Sequence, residues 1–151
     1  MDQSKNIRSC KGTEFIHFNK HDKFGKDLYM ALVAPGLNTS LYVETWRKGR
    51  GEILYSECGA KYSVLNVEKV SCTNKTSQSS ITFTFEEDHS KWAISSVPAE
   101  SWVCVGDINR MKSQFKRGGG TLCLKDKFVF QTFSSFVSKY EKCQPHQQHE
   151  L

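Results

Sequence analysis

Apolar and polar residues alternate over Gly12-Thr13-Glu14-Phe15-Ile16-His17-Phe18, over Tyr62 to Val70 and, most regularly, over Ile81-Thr82-Phe83-Thr84-Phe85. A period of two sends alternate side chains to opposite faces, so each stretch predicts a half-buried strand. Leu41 to Trp46 and Trp92 to Ser96 predict further strands. Trp102-Val103-Cys104-Val105 predicts a buried one that ends in a glycine turn, Gly106-Asp107-Ile108-Asn109. The period changes at Phe24, Leu28 and Leu32, with Ala31 alongside, which predicts an amphipathic helix stopped by Pro35-Gly36. Phe130, Phe133, Phe136, Val137 and Tyr140 are also helically spaced, and predict a closing helix over 128–140 with its aromatics in the core. Gly49, Gly51 and Gly59 mark a hairpin or long loop over 47–61, and Cys72 to Ser80 a polar exposed one. The expected class is α/β, a mixed β-sheet flanked by helices.

The chain has 151 residues, enough for one domain with a real core. Residues 1–13 read as a polar, poorly ordered lead-in, 14–143 as the domain and 144–151 as a disordered polar tail. No apolar run is long enough to span a bilayer, so no membrane partner is expected. Met1 to Arg8 lacks the hydrophobic segment of a signal peptide. Six cysteines and the sequons at Asn38 and Asn74 nevertheless suit an oxidising compartment and a glycoprotein. Secretory chemistry without an export signal is the expectation for a fragment or shortened isoform. Six cysteines allow many pairings, and spacing alone fixes none.

The formal charge of +5 has two readings, attraction to a polyanion such as DNA or ordinary solubility. Five histidines, with an ordinary pKa of about 6.5, would roughly double that charge in acid.

Candidate chemistry centres on Glu86-Glu87-Asp88-His89-Ser90-Lys91-Trp92. On an extended segment His89 and Lys91 share a face. An imidazole can act as nucleophile or proton carrier, and the ammonium supplies a fixed charge for a phosphate oxygen. Asn109, at the end of the second segment, offers an amide. Glu44 reads either as a solvent-facing strand carboxylate or as a group that orients a catalytic one. Lys116 and Arg117 precede Gly118-Gly119-Gly120, which reads either as a flexible loop or as backbone able to approach a phosphate. His21-Asp22-Lys23 repeats the His-x-Lys spacing but reads as a solvated turn. His146 and His149 could pair on a metal, yet a polar tail is the stronger reading. The cysteines lack zinc spacing and no carboxylate cluster suggests two metals, so no metal and no cofactor is expected.

Asp88-His89-Ser90-Lys91-Trp92, Trp102 to Arg110 and Arg117 to Cys123 resemble the carboxy-terminal half of deoxyribonuclease II. Lys23 to Tyr29, Val33-Ala34-Pro35 and Leu41 to Trp46 are similar to that family as well, so the resemblance runs from Phe15 to Cys143. Ala93-Ile94-Ser95 leans towards its beta type. The resemblance implies a phospholipase D-like half-domain, disulfides Cys104–Cys123 and Cys58–Cys143 with Cys10 and Cys72 left over, and DNA as partner. It implies acid endonuclease chemistry leaving 3′-phosphates through histidine, without metal. His89 would serve as general acid and base, Lys91 and Asn109 would hold phosphate oxygens, and Glu44 and Asp107 would support them. Arg110, Lys116 and Arg117 would contact the DNA. The family is lysosomal or secreted. Two departures stand out: the superfamily's Asp after the Lys is replaced by Ile94-Ser95-Ser96, and Asp107 stands where a Ser is common. The first His-x-Lys half-site is also missing, so the complementary half must come from a missing amino-terminal part or a homodimer. The alternative is a non-catalytic DNA-binding chain or an inactive truncated isoform.

Overall fold

The computed structural model describes residues 3–59, 61–74 and 76–143. The strands are β1 (Ser4–Arg8), β2 (Glu14–Lys20), β3 (Leu41–Glu44), β4 (Val64–Thr73), β5 (Ser80–Thr84), β6 (Trp92–Ser95), β7 (Trp102–Gly106), β8 (Gly119–Lys125) and β9 (Val137–Tyr140). They join into one mixed sheet in the order β1-β2-β8-β7-β6-β3-β4-β5, with β9 beside β4. The β3–β4 pair is parallel; β3–β6, β6–β7 and β7–β8 are antiparallel.

Strand alternation splits the core into two layers. Leu41, Val43, Ala93, Cys104 and Cys123 face one way and pack on Leu28, Tyr29, Val33, Ala34 and Leu37. Trp92, Ile94 and Val103 face the other way, with Val67 and Val70, under Phe130 of helix α2 (Lys127–Phe136). The expected α/β class with flanking helices is therefore what the chain adopts. Both expected disulfides are present, Cys58–Cys143 and Cys104–Cys123. Cys104 and Cys123 sit directly opposite one another on β7 and β8. Cys10 and Cys72 are free thiols.

Four local expectations are corrected. First, Pro35-Gly36 does not stop the first helix. A π-helical turn over Tyr29–Val33 runs on into helix α1 (Ala34–Leu37), and the chain turns away only at Asn38, in the left-handed conformation at φ 54°. Pro35 falls in the first turn of α1, where a missing N–H is tolerated, and the preceding N–H, on Ala34, reaches back to Tyr29 O. Second, Ser4–Arg8 is no lead-in but an edge strand, all five residues exposed, paired with β2. Backbone pairing needs no apolar side chain, so the composition carried no signal of it.

Third, α2 ends at Phe136 and the next four residues form β9 on β4, although the aromatic spacing continues to Tyr140. Its start is well marked, because Asp126 accepts from the Phe128 and Val129 amides. Fourth, the glycine run is not a free loop: Gly118 precedes β8, and Gly119 and Gly120 open it, between β2 and β7. A Cβ on Gly120 would lie 2.2 Å from Phe18 O, and one on Gly106 2.4 Å from Gly120 O. Glycine is needed there for strand backbones to approach. The tail, with His146 and His149, lies outside the described residues.

No helix among the described residues is long and apolar enough to cross a membrane.

Candidate active site

Sheet register gathers the charged groups on one rim. Glu44, the last residue of β3, pairs with Trp92 at the start of β6. Trp92 pairs with Val105 of β7, Gly106 with Thr121 of β8, and Gly119 with Lys20 at the end of β2. The segments leaving these strand ends carry the predicted site residues.

His89 and Lys91 are not on a strand. They occupy the turn that precedes β6, where the Asp88 carboxylate accepts from both the amide and the hydroxyl of Ser90 at 2.8 Å. Such an aspartate turn breaks the extended course that period-two spacing suggested. The two residues still meet, because Lys91 Nζ donates to the His89 carbonyl oxygen. The His89 ring lies on the Trp46 indole, centroids 4.6 Å apart and planes 28° from parallel. Trp46 Nε1 donates to Glu86 O at 3.1 Å, and Lys48 pairs with Glu86 at 3.0 Å. Arg47 lies over Phe85, 4.2 Å from its centroid. The segment after β3 thus anchors the histidine turn from one side.

Lys91 has its ammonium pKa lowered, first by burial and then by the Arg117 charge. Asp88, Asp107 and Glu44 act in the opposite sense. Glu44, weighed earlier as a solvent-facing carboxylate, is fully buried, and neither of its oxygens has a hydrogen-bond partner. Burial raises its pKa to about 8; Asp88 adds to the rise, while Arg47 and Lys91 oppose it. Burial thus favours the neutral form of Glu44, while the Arg47 and Lys91 charges beside it favour the carboxylate.

Asn109 is nearly buried with its amide oxygen unpartnered. Asp107 is exposed, and its Oδ1 accepts the Gly120 amide at 2.9 Å, which fixes the turn after β7 against β8. That amide is consequently not free for a phosphate. Lys116 and Arg117 are exposed, as a DNA contact requires.

Arg110 is not. Expected on DNA, it is completely buried, paired with Asp27 at 3.3 Å and Glu57 at 2.6 Å, and bonded to Asn66 Oδ1 at 2.6 Å and Tyr55 O at 3.2 Å. Its five donors suit a buried hub, and no face remains for a phosphate.

Sequence reasoning missed Lys20. It is buried, and its ammonium donates to the carbonyls of Gln114 and Arg117. Burial lowers its pKa, and Asp27, Arg117 and Asp107 are the charges acting on it. It shares a face with Ile16 and Phe18, and a lysine at that inward position was the available signal. His21 is exposed in a turn, its Nδ1 accepting the Lys23 amide at 3.0 Å. No group of three His, Cys, Asp or Glu residues among the described residues is arranged to hold a metal.

A model of the deoxyribonuclease II family matches residues 1–143. The chain is 41% identical over 138 residues to Plancitoxin-1 of Acanthaster planci, and 40% identical over 137 residues to Deoxyribonuclease-2-alpha of Mus musculus. It is 38% identical over 138 residues to Deoxyribonuclease-2-beta of Homo sapiens. In each case the match covers 91% of this chain and 37% of the relative. This chain belongs to the deoxyribonuclease II family, and it spans little more than a third of the length of these relatives. The alpha-type relatives match at 40–41% and the beta-type ones at 33–38%, so identity lends no weight to the beta lean read from Ala93-Ile94-Ser95.

Proposed function

We propose that this chain supplies the carboxy-terminal half of an acid endodeoxyribonuclease of phospholipase D-like arrangement, cutting DNA phosphodiesters without metal and leaving 3′-phosphates. The observation that carries this reading is the fixed histidine turn: an imidazole held flat on Trp46, with Lys91 folded against its backbone. In the complete site a histidine from the other half attacks phosphorus and the bond to the 5′-oxygen breaks. His89, as imidazolium, gives its proton to that oxygen. Neutral His89 then takes a proton from water, whose oxygen attacks phosphorus; the P–N bond breaks and the 3′-phosphate leaves. Lys91 and the Asn109 amide would hold the non-bridging oxygens, with Asp107 fixing the turn that presents Asn109. The neutral Glu44 leaves the Lys91 charge undiminished. Lys116 and Arg117 would follow the DNA backbone.

The second half-site would come from the rest of the relatives' length or from a second copy of this chain. A non-catalytic DNA-binding or inactive truncated form is the second reading, favoured by a chain that spans 37% of its relatives' length. The paired cysteines and the exposed sequon residues Asn38 and Asn74 support a glycoprotein of the lysosome or the secreted space.

The test is plasmid nicking at pH 5 in EDTA, wild type against His89→Ala, with mass in solution measured alongside. Nicking by a wild-type dimer that vanishes in the variant supports catalysis by two copies. No nicking by a folded monomer, restored by adding the relatives' amino-terminal half, supports half an enzyme. DNA binding that survives His89→Ala, with no nicking in either setting, supports the second reading.

A further inference from the structure

We infer that the apolar pocket beside His89 and Lys91 receives one nucleobase of the substrate strand while Lys91 holds the phosphate attached to it. The inference rests on the phosphodiesterase reading above. The pocket, about 520 Å³, lies between the 88–91 turn, β4, β5, β7 and the end of α2. Its volume is that of a small-ligand site. His89 and Lys91 line it together with Phe83, Phe136 and Val105. Phe83 and Phe136 are half-buried, and Val105 is 56% exposed. Edge contacts running Trp92–Phe133–Phe136, with centroids 5.4 and 5.8 Å apart, fix the floor.

A cation at the edge of a mostly apolar, aromatic-walled cavity matches the two ends of a nucleotide, an anionic phosphate and a flat ring with two π-faces. The remaining polar lining is His89, Ser90 and the Asp88 carboxylate, which Ser90 occupies. Free phosphate would use only the lysine, and an aliphatic ligand only the apolar walls. A base still stacked and paired in a duplex cannot enter such a pocket, so the nucleotide bound there must first leave the stack. The site then cuts where the strand is extruded or unpaired. Base–aromatic stacking of this kind strengthens binding by about tenfold or more.

The test uses the chain itself, followed by NMR at Lys91 and Val105. It is titrated with thymidine 3′-phosphate, with the 3′-phosphate of an abasic deoxyribose, and with inorganic phosphate. Thymidine 3′-phosphate should bind about tenfold more tightly than the abasic compound and shift both residues. Val105→Trp, at an exposed position, should remove that advantage and leave phosphate binding intact. Equal binding of nucleotide and abasic compound, with Lys91 shifting in both, overturns the base pocket and leaves the phosphodiesterase reading standing. No shift at Lys91 with any of the three overturns both.

Discussion

The indole of Trp46 and the imidazole of His89 are stacked, with ring centroids 4.6 Å apart. Aromatic pairs of this kind contribute about 0.5–1.5 kcal/mol beyond burial, roughly 2- to 12-fold in a rate or equilibrium. In the wild type the His89 ring protons should resonate upfield, under the indole ring current. Trp46→Ala should move them back and, in the complete enzyme, lower kcat by a factor in that range. Trp46→Phe should retain most of both effects. Unchanged His89 resonances in Trp46→Ala would contradict the stack.

Glu44 gives stability a defined pH dependence. Its pKa is about 8 in the fold against an ordinary 4.5. Between those values the unfolded chain has released a proton that the folded chain keeps, so stability falls as pH rises, by at most about 1.4 kcal/mol per pH unit. Below 4.5 both states hold the proton and the effect is absent. Urea midpoints of Glu44→Gln should match wild type near pH 4 and exceed it clearly at pH 8. Parallel pH profiles for the two proteins would refute a protonated Glu44.

Arg110 should behave as a structural residue. Arg110→Ala leaves Asp27, Glu57 and Asn66 without their shared donor and should cost about 3–5 kcal/mol, read as a lower urea midpoint. Arg110→Lys should also destabilise, because one ammonium cannot reproduce a fork that spans Asp27, Glu57, Asn66 Oδ1 and Tyr55 O. A fully stable Arg110→Ala with weakened DNA binding would restore the arginine to the surface role.

The two disulfides close loops of unequal length, with separations of 85 residues for Cys58–Cys143 and 19 for Cys104–Cys123. Chain entropy assigns about 4.6 kcal/mol to the first and about 3.2 to the second. Paired alanine substitution at Cys58 and Cys143 should lower unfolding free energy by about 4–5 kcal/mol. A loss under 1 kcal/mol would show that the unfolded chain is already constrained there.

Where alternation or a short apolar run was strong, the sequence was readable. Ile81 to Thr84 and Trp92 to Ser95 became strands within a residue of expectation. β1 was hidden because an edge strand with both faces exposed needs no apolar residue. β8 was hidden because Gly118-Gly119-Gly120 carries turn composition, and only its neighbours in the sheet explain glycine there. In the candidate site, His89, Lys91 and Asn109 were singled out by residue type and spacing, and the family resemblance then implied a role for each. The burial of Glu44 and Arg110 depends on which strands flank them, a long-range property that local patterns do not carry.

The sheet order has a consequence for how the molecule is made. β8 seats between β2 and β7, so β2 finds its inner partner only about a hundred positions further along the chain. β4 likewise waits for β9, with Val67 opposite Tyr140. Closing such distant pairs is slow. On a translating ribosome β2 can pair with β1, and β4 with β3 and β5, at once. The inner edge of β2 stays open until residues 119–125 have emerged, and the second edge of β4 until 137–140, so the sheet closes last at these two seams.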